Sequence, residues 1–269
     1  MHSQLIGILA IFLYLASSLL FAVRLARHDL AGSVSRNTAL ILGLLATLLH
    51  GTAMYPVLVT PNGLNLGFFN AASLVGWLTA LLLLTSSLRQ PLENIGIALL
   101  PTAALSIALM FAYPSQHVLS EGSHWQLDLH ILLSILAYSL LVIAVLQAML
   151  LAMQDHQLRN RHPGGLIRAL PPLQTMETLL IQLISTGFIL LSLALLTGLL
   201  FLEDIFAQHL VHKTVLSLVA WGVFATLLWG HWRFGWRGRT VTRWTLGGFL
   251  FLMLAYFGTK LVLELLLGV

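Results

Sequence analysis

The chain contains no cysteine in 269 residues. That absence removes disulfides, thiolate-held zinc, iron–sulfur clusters and Cys-x-x-Cys redox chemistry together. Charge is nearly as scarce. Only 8% of residues are Asp, Glu, Lys or Arg, where a soluble domain carries about 25%. With 58% hydrophobic residues and a mean hydropathy of +0.93, most of the chain has no need to face water. The segment MHSQLIGILAIFLYLASSLLFAV lacks a basic n-region, and its apolar run is too long for a signal-peptide core. It reads as a retained first membrane span. No nucleophile–base pair, glycine-rich phosphate loop or paired carboxylates stand out, so the chain does not read as an enzyme. The net charge of +4 needs no nucleic acid to explain it, because its placement is topological.

That placement is regular. Apolar runs fall at about 4–23, 37–59, 67–87, 95–112, 129–153, 179–201, 214–232 and 244–267, each near the roughly 20 residues that one span needs. Arg24, Arg27, Arg36, Arg89, Arg159, Arg161, Arg168, Arg233, Arg237, Arg239 and Arg243 all fall in alternate loops, which accounts for 11 of the 13 basic residues. Basic loops stay in the cytoplasm. The sequence therefore predicts an all-α, polytopic membrane helix bundle of about eight transmembrane helices. Both the N-terminus and the C-terminus lie outside, and residues 1–269 form a single transmembrane domain surrounded by membrane lipid. Pro101 is a candidate kink in the fourth span. NGLNLGFFN, before the third, reads as a turn.

Polar chemistry concentrates in histidine, of which there are 11. His50 lies within the second span, His130 opens the fifth and His231 closes the seventh. An imidazole in hydrocarbon needs a hydrogen-bond partner, a proton role or a metal, and neutral histidine is a leading axial ligand of haem iron. The plainer reading makes His130 and His231 interfacial groups, His231 within an aromatic belt of Trp229, Trp232 and Trp236. His50 is the deepest, about 14 Å from the outer edge at helical rise. By that count His50 and His231 differ in depth by about 15 Å, so either the span edges shift or the two do not share an iron. His117, Glu121, His124 and Asp128 could share one face of a short surface helix. Lys213 and Lys260 break the charge rule at the outer end. Outer cations would suit haem propionates, while Lys260 could equally pair with Glu264 one turn on.

Several stretches resemble the cytochrome c assembly family of haem-handling membrane proteins (the CcsA, ResC and HemX group), and its small eight-span members in particular. HILLSILAY at 130–138 is similar to the family's outer histidine followed eight residues later by tyrosine. GFILLSLALLTGLLF at 187–201 resembles the span that precedes the family's haem loop. HKTVLSLVAWGVFATLLWGHWR at 212–233 is similar to the stretch leaving the tryptophan-rich motif. In it Lys213 falls where that motif has its Pro-Lys-Glu lysine, and His231 where the family keeps a transmembrane histidine before an arginine. NLGFFNAASLVGWL at 65–78 resembles a further family stretch, with His50 as the histidine upstream of it.

The resemblance implies a haem-binding or haem-handling protein of the bacterial inner (cytoplasmic) membrane. Its cofactor would be haem, its candidate ligands His50, His130 and His231, and Lys213 a propionate partner. Other cytochrome c assembly or membrane proteins would be its partners. Two departures keep an alternative open. FLEDIFAQHLVHK, without any tryptophan, stands where the family has its tryptophan-rich motif, and FGTKLVLE replaces the second outer histidine. A non-catalytic scaffold or regulator of another membrane complex, without bound haem, is that alternative. A solute carrier ranks below both, because the spans hold so few ionisable groups.

Overall fold

A computed structural model describes residues 2–26, 35–61, 63–114, 118–120, 125–160, 170–201 and 211–258. Among the described residues, eight helices are long and apolar enough to cross a membrane. They contain α1 (His2–Ala26), α2 (Arg36–Leu58), α3 (Phe68–Ser87), α4 (Gly96–Ala112, preceded by a 3-10 turn Glu93–Ile95 in the same span), α5 (Trp125–Arg159), α6 (Leu173–Phe201), α7 (Val211–Phe234) and α8 (Arg239–Met253). A π-helical turn, Leu254–Gly258, continues α8. α4 runs unbroken through Pro101. His117, Glu121, His124, His209, Lys260 and Glu264 lie outside the described residues.

The apolar runs locate the helices but not their full lengths. α5 has 35 residues, continuing past the apolar run through Gln154 and Asp155, because polar good helix formers extend a helix once it leaves hydrocarbon. α6 begins at Leu173, directly after Pro171 and Pro172. The turn expected at NGLNLGFFN is partly strand. β1 (Val59–Thr60), β2 (Gly63–Asn65) and β3 (Val118–Ser120) form a small antiparallel sheet in that order. Gly63 sits at φ 120° beside the tight turn, and Thr60 Oγ1 donates to its carbonyl at 2.7 Å.

Residues 1–121 with 157–172 form one compact unit, and residues 122–156 with 173–269 a second. In the first, α1 buries Gly7, Ala10, Tyr14, Ser17, Ser18 and Phe21 and exposes Leu5, Ile8, Phe12, Leu15 and Leu19. A water-soluble helix does the reverse. Small and hydroxylated residues inside, with large aliphatics outside, suit a helix that meets protein on one face and lipid on the other. Ser17 Oγ donates to the Ala39 carbonyl at 2.8 Å and Ser18 Oγ to that of Ile97 at 2.9 Å, stitching α1 to α2 and α4. At one end Arg36 pairs with Glu93 at 2.9 Å and also donates to the Ser87 carbonyl, tying together α2, the end of α3 and the turn before α4.

In the second unit α5 and α6 are antiparallel. Leu141 packs against Gly187, and Gln147 Nε2 donates to the Met176 carbonyl at 3.0 Å. α7 joins α6 where Trp221 stacks on Phe188, 5.6 Å between centroids, and its indole N–H donates to Ser192 Oγ at 2.9 Å. α8 lays Gly248 against Phe224 and Val223 of α7. Tyr138 of α5 meets Phe249 of α8 and both Tyr256 and Phe257 of the π-turn.

Candidate functional site

The three singled-out histidines occupy different surroundings. His50 is fully buried in the first unit, between α1 and α3. Its Nδ1 hydrogen-bonds the Tyr14 hydroxyl at 3.3 Å and its Nε2 the Ser73 hydroxyl at 2.9 Å. The Tyr14 ring stands edge-on to the imidazole, 5.9 Å between centroids. Both ring nitrogens are therefore engaged. Each partner is a hydroxyl, which can donate or accept, so the partners leave the tautomer unassigned. One turn N-terminal on α2, the Thr47 carbonyl accepts from Trp77 Nε1 at 2.8 Å. Gly51 faces that indole, where a Cβ would lie 3.1 Å from Nε1.

His130 is half-buried in the second unit. Its Nδ1 donates to the Ala194 carbonyl at 2.8 Å and lies 3.3 Å from Thr197 Oγ1. A carbonyl only accepts, so the proton sits on Nδ1 and the lone pair on Nε2. Nε2 has no hydrogen-bond partner among the described residues. Gly198 completes the seat. A Cβ there would come within 3.0 Å of His130 Cε1, so any larger residue would press on the ring and shift it in its slot. Trp125 and Phe201, 6.0 Å apart, close the same end of α5 and α6.

His231 repeats the arrangement elsewhere in the same unit. α7 ends at Phe234, Gly235 turns into the left-handed region at φ 68°, and its N–H returns to the His231 carbonyl at 3.1 Å. That is an αL helix stop. Trp236 then folds back onto Gly230, where a Cβ would lie 2.4 Å from the indole. The fold-back presents the Trp236 carbonyl to His231 Nδ1 at 2.8 Å. Again Nδ1 carries a proton, so in the neutral ring the lone pair is on Nε2, which has no partner among the described residues. Trp229 and Trp232 point outward at 64% and 71% exposure, as interfacial tryptophans do.

His130 and His231 do not converge. Trp221 lies opposite Phe188 and Ser192, so the level of Ala194 on α6 corresponds to about residue 217 on α7. His231 is about fourteen residues further along, roughly 21 Å at helical rise. The same register puts Lys213 level with Leu196–Leu200, at the end where His130 sits. Groups of three or more metal-ligating side chains are absent among the described residues.

The sequence profile described as Cytochrome C assembly protein matches residues 38–267, which span both compact units. The chain belongs to the cytochrome c assembly protein family. Two relatives are similar to it. The "Inner membrane protein YpjD" of Escherichia coli (strain K12) is 34% identical over 237 residues, covering 86% of this chain and 88% of that protein. A protein of Azospirillum brasilense described as an "Uncharacterized 28.8 kDa protein in nifR3-like 5'region" is 36% identical over 144 residues, 53% of each chain. No solved structure matches. Together with the eight spans, the family and the YpjD relative make this a multi-pass protein of the bacterial inner membrane.

Residue types alone pointed to the histidines but not to their seats. Thr197 and Gly198 lie inside the family-like stretch at 187–201, and their part in holding His130 comes only from packing. Ser73 lies inside the family-like stretch at 65–78, but its pairing with His50, like that of Tyr14, comes only from packing.

Proposed function

We propose that this protein binds and handles haem, as a non-enzymatic member of its family, at the end of the second unit where His130 and Lys213 lie. The observation that carries the reading is the His130 seat. Its Nδ1–H is tied to the Ala194 carbonyl while Nε2 keeps its lone pair without a partner among the described residues. A metal-binding imidazole has this arrangement, in which a second-shell acceptor fixes the tautomer and orientation of the ring. Haem, when bound, would supply an iron that takes imidazole nitrogen as an axial ligand. Lys213, level with this end of α6, would face a propionate.

His231 fits a second ligand position, separate from the first because of the distance along α7. His50 fits less directly. It would ligate iron only on giving up Ser73 or Tyr14, so its role in this reading is conditional on that release. We take residues 1–269 as one functional domain with both termini outside, a topology supported by the 11 of 13 basic residues in alternate loops.

Absorption spectra of the protein in mild detergent, oxidised and dithionite-reduced, test the reading. A Soret band after purification or haem titration is expected. His130→Ala should lower bound haem at least tenfold, His231→Ala should remove a separate fraction, and Lys213→Gln should weaken retention less. A protein that stays colourless under titration would overturn it. A second reading, a haem-free scaffold for another membrane complex, is favoured by one observation: the most deeply buried histidine, His50, is satisfied entirely by neighbouring hydroxyls.

A further inference from the structure

The hairpin between α7 and α8 holds Arg233, Arg237, Arg239 and Arg243 within eleven residues. Two acids lie at this end, and both are occupied. Asp155 takes Arg239 at 3.3 Å, and Glu177 accepts the backbone N–H of Gly238 at 2.9 Å. Arg233, Arg237 and Arg243 are exposed and have no ion pair among the described residues. The hairpin that carries them is braced by Trp236 in the Gly230 notch and by the bonds to Glu177 and Asp155, so the three guanidiniums project from a fixed frame.

The apolar surface beside them continues the pattern. On α8 the exposed positions Arg239, Arg243, Leu246, Leu250 and Met253 recur at spacings of four and three, so they form one outward stripe. The stripe is cationic at the hairpin and aliphatic beyond it. The outward end of α7 carries Trp229, Trp232 and Arg233, with the same order of apolar surface and then charge.

We infer that this hairpin is a docking surface for an anionic phospholipid, its headgroup held by Arg233, Arg237 and Arg243 and its acyl chains along the outward faces of α7 and α8. Guanidinium forms paired, charge-assisted hydrogen bonds to phosphate oxygens. Exposed tryptophan anchors at headgroup depth. A zwitterionic lipid brings its own ammonium and adds no net charge to a cluster of three cations, whereas a lipid with net negative charge lowers the excess positive charge. The inference is independent of haem.

Native mass spectrometry of the full chain, released from micelles holding equal phosphatidylglycerol and phosphatidylethanolamine, tests it. Phosphatidylglycerol adducts should dominate at least tenfold. Each arginine removed should cost about fivefold in affinity, so R233Q/R237Q/R243Q should abolish the preference. R24Q/R27Q/R89Q, which removes equal charge from the first unit, should preserve it within twofold. Equal retention of both lipids overturns the inference. So does an equal loss in the control variant, or displacement of the lipid by millimolar inorganic phosphate. If the triple variant loses its helical circular dichroism, the single variant R243Q decides, with a fivefold weakening expected and an unchanged affinity overturning the proposal.

Discussion

Histidine is treated oppositely in the two units. In the first, His50 is closed on both nitrogens by hydroxyls from α1 and α3. In the second, His130 and His231 each give one nitrogen to a backbone carbonyl and leave the other without a partner among the described residues. The difference lies in the chemistry of the partner. A hydroxyl accepts either tautomer, so it satisfies a ring without selecting a form. A carbonyl forces the proton onto the nitrogen that faces it and so presents a lone pair on the opposite side. One arrangement locks helices together; the other leaves a ring nitrogen without a partner among the described residues.

The comparison breaks most sharply at His50. His50→Ala should cost about 2–4 kcal/mol, because it opens a cavity and strands two buried hydroxyls. Unfolding in mixed micelles would measure it. If the loss stays below about 1 kcal/mol while bound haem disappears, His50 is a ligand and the contrast between the units fails. Next comes Gly230→Ala. Its new methyl would strike the Trp236 indole and unseat the hairpin, at about 1–3 kcal/mol for overpacking. Tryptophan fluorescence should shift as Trp236 leaves its notch. Gly198→Ala should act on function more than on stability. The methyl crowds His130 Cε1, and haem affinity should fall about tenfold, in the range seen when a supporting shell is disturbed. Unchanged haem titration in Gly198→Ala would detach His130 from the site. The smallest effect expected is that of Tyr14→Phe, which removes one hydrogen bond worth about 1 kcal/mol and should leave any haem spectrum untouched.

Much of the architecture was legible because bilayer thickness imposes a length on apolar runs. Runs such as 37–59 and 67–87 fall within a residue of α2 and α3. The ends of α5 and α6 were not legible from hydropathy, since polar turns outside hydrocarbon carry no apolar signal. Two- and three-residue strands escaped notice because they are too short to show alternation, and because Leu64 pairs not only with nearby Val59 but with Leu119, 55 residues away. The same limit governed the site. His130 stood out as a polar residue at a span edge, and its motif resembled the family's. The acceptor that sets its tautomer is a main-chain oxygen 64 residues away, and no residue type advertises a carbonyl. For His50 the sequence showed depth but could not show that Ser73 and Tyr14 were already there.

At 35 residues, α5 is about 52 Å long at 1.5 Å per residue, well beyond a hydrocarbon core of about 30 Å. A rod longer than its medium accommodates mismatch by tilting or protruding, and α5 can do either without dragging Asp155 into oil. His130 sits only five residues from one tip. The immersion of that imidazole is therefore a property of the lipid as much as of the polypeptide, and bilayers of different thickness would wet it to different extents.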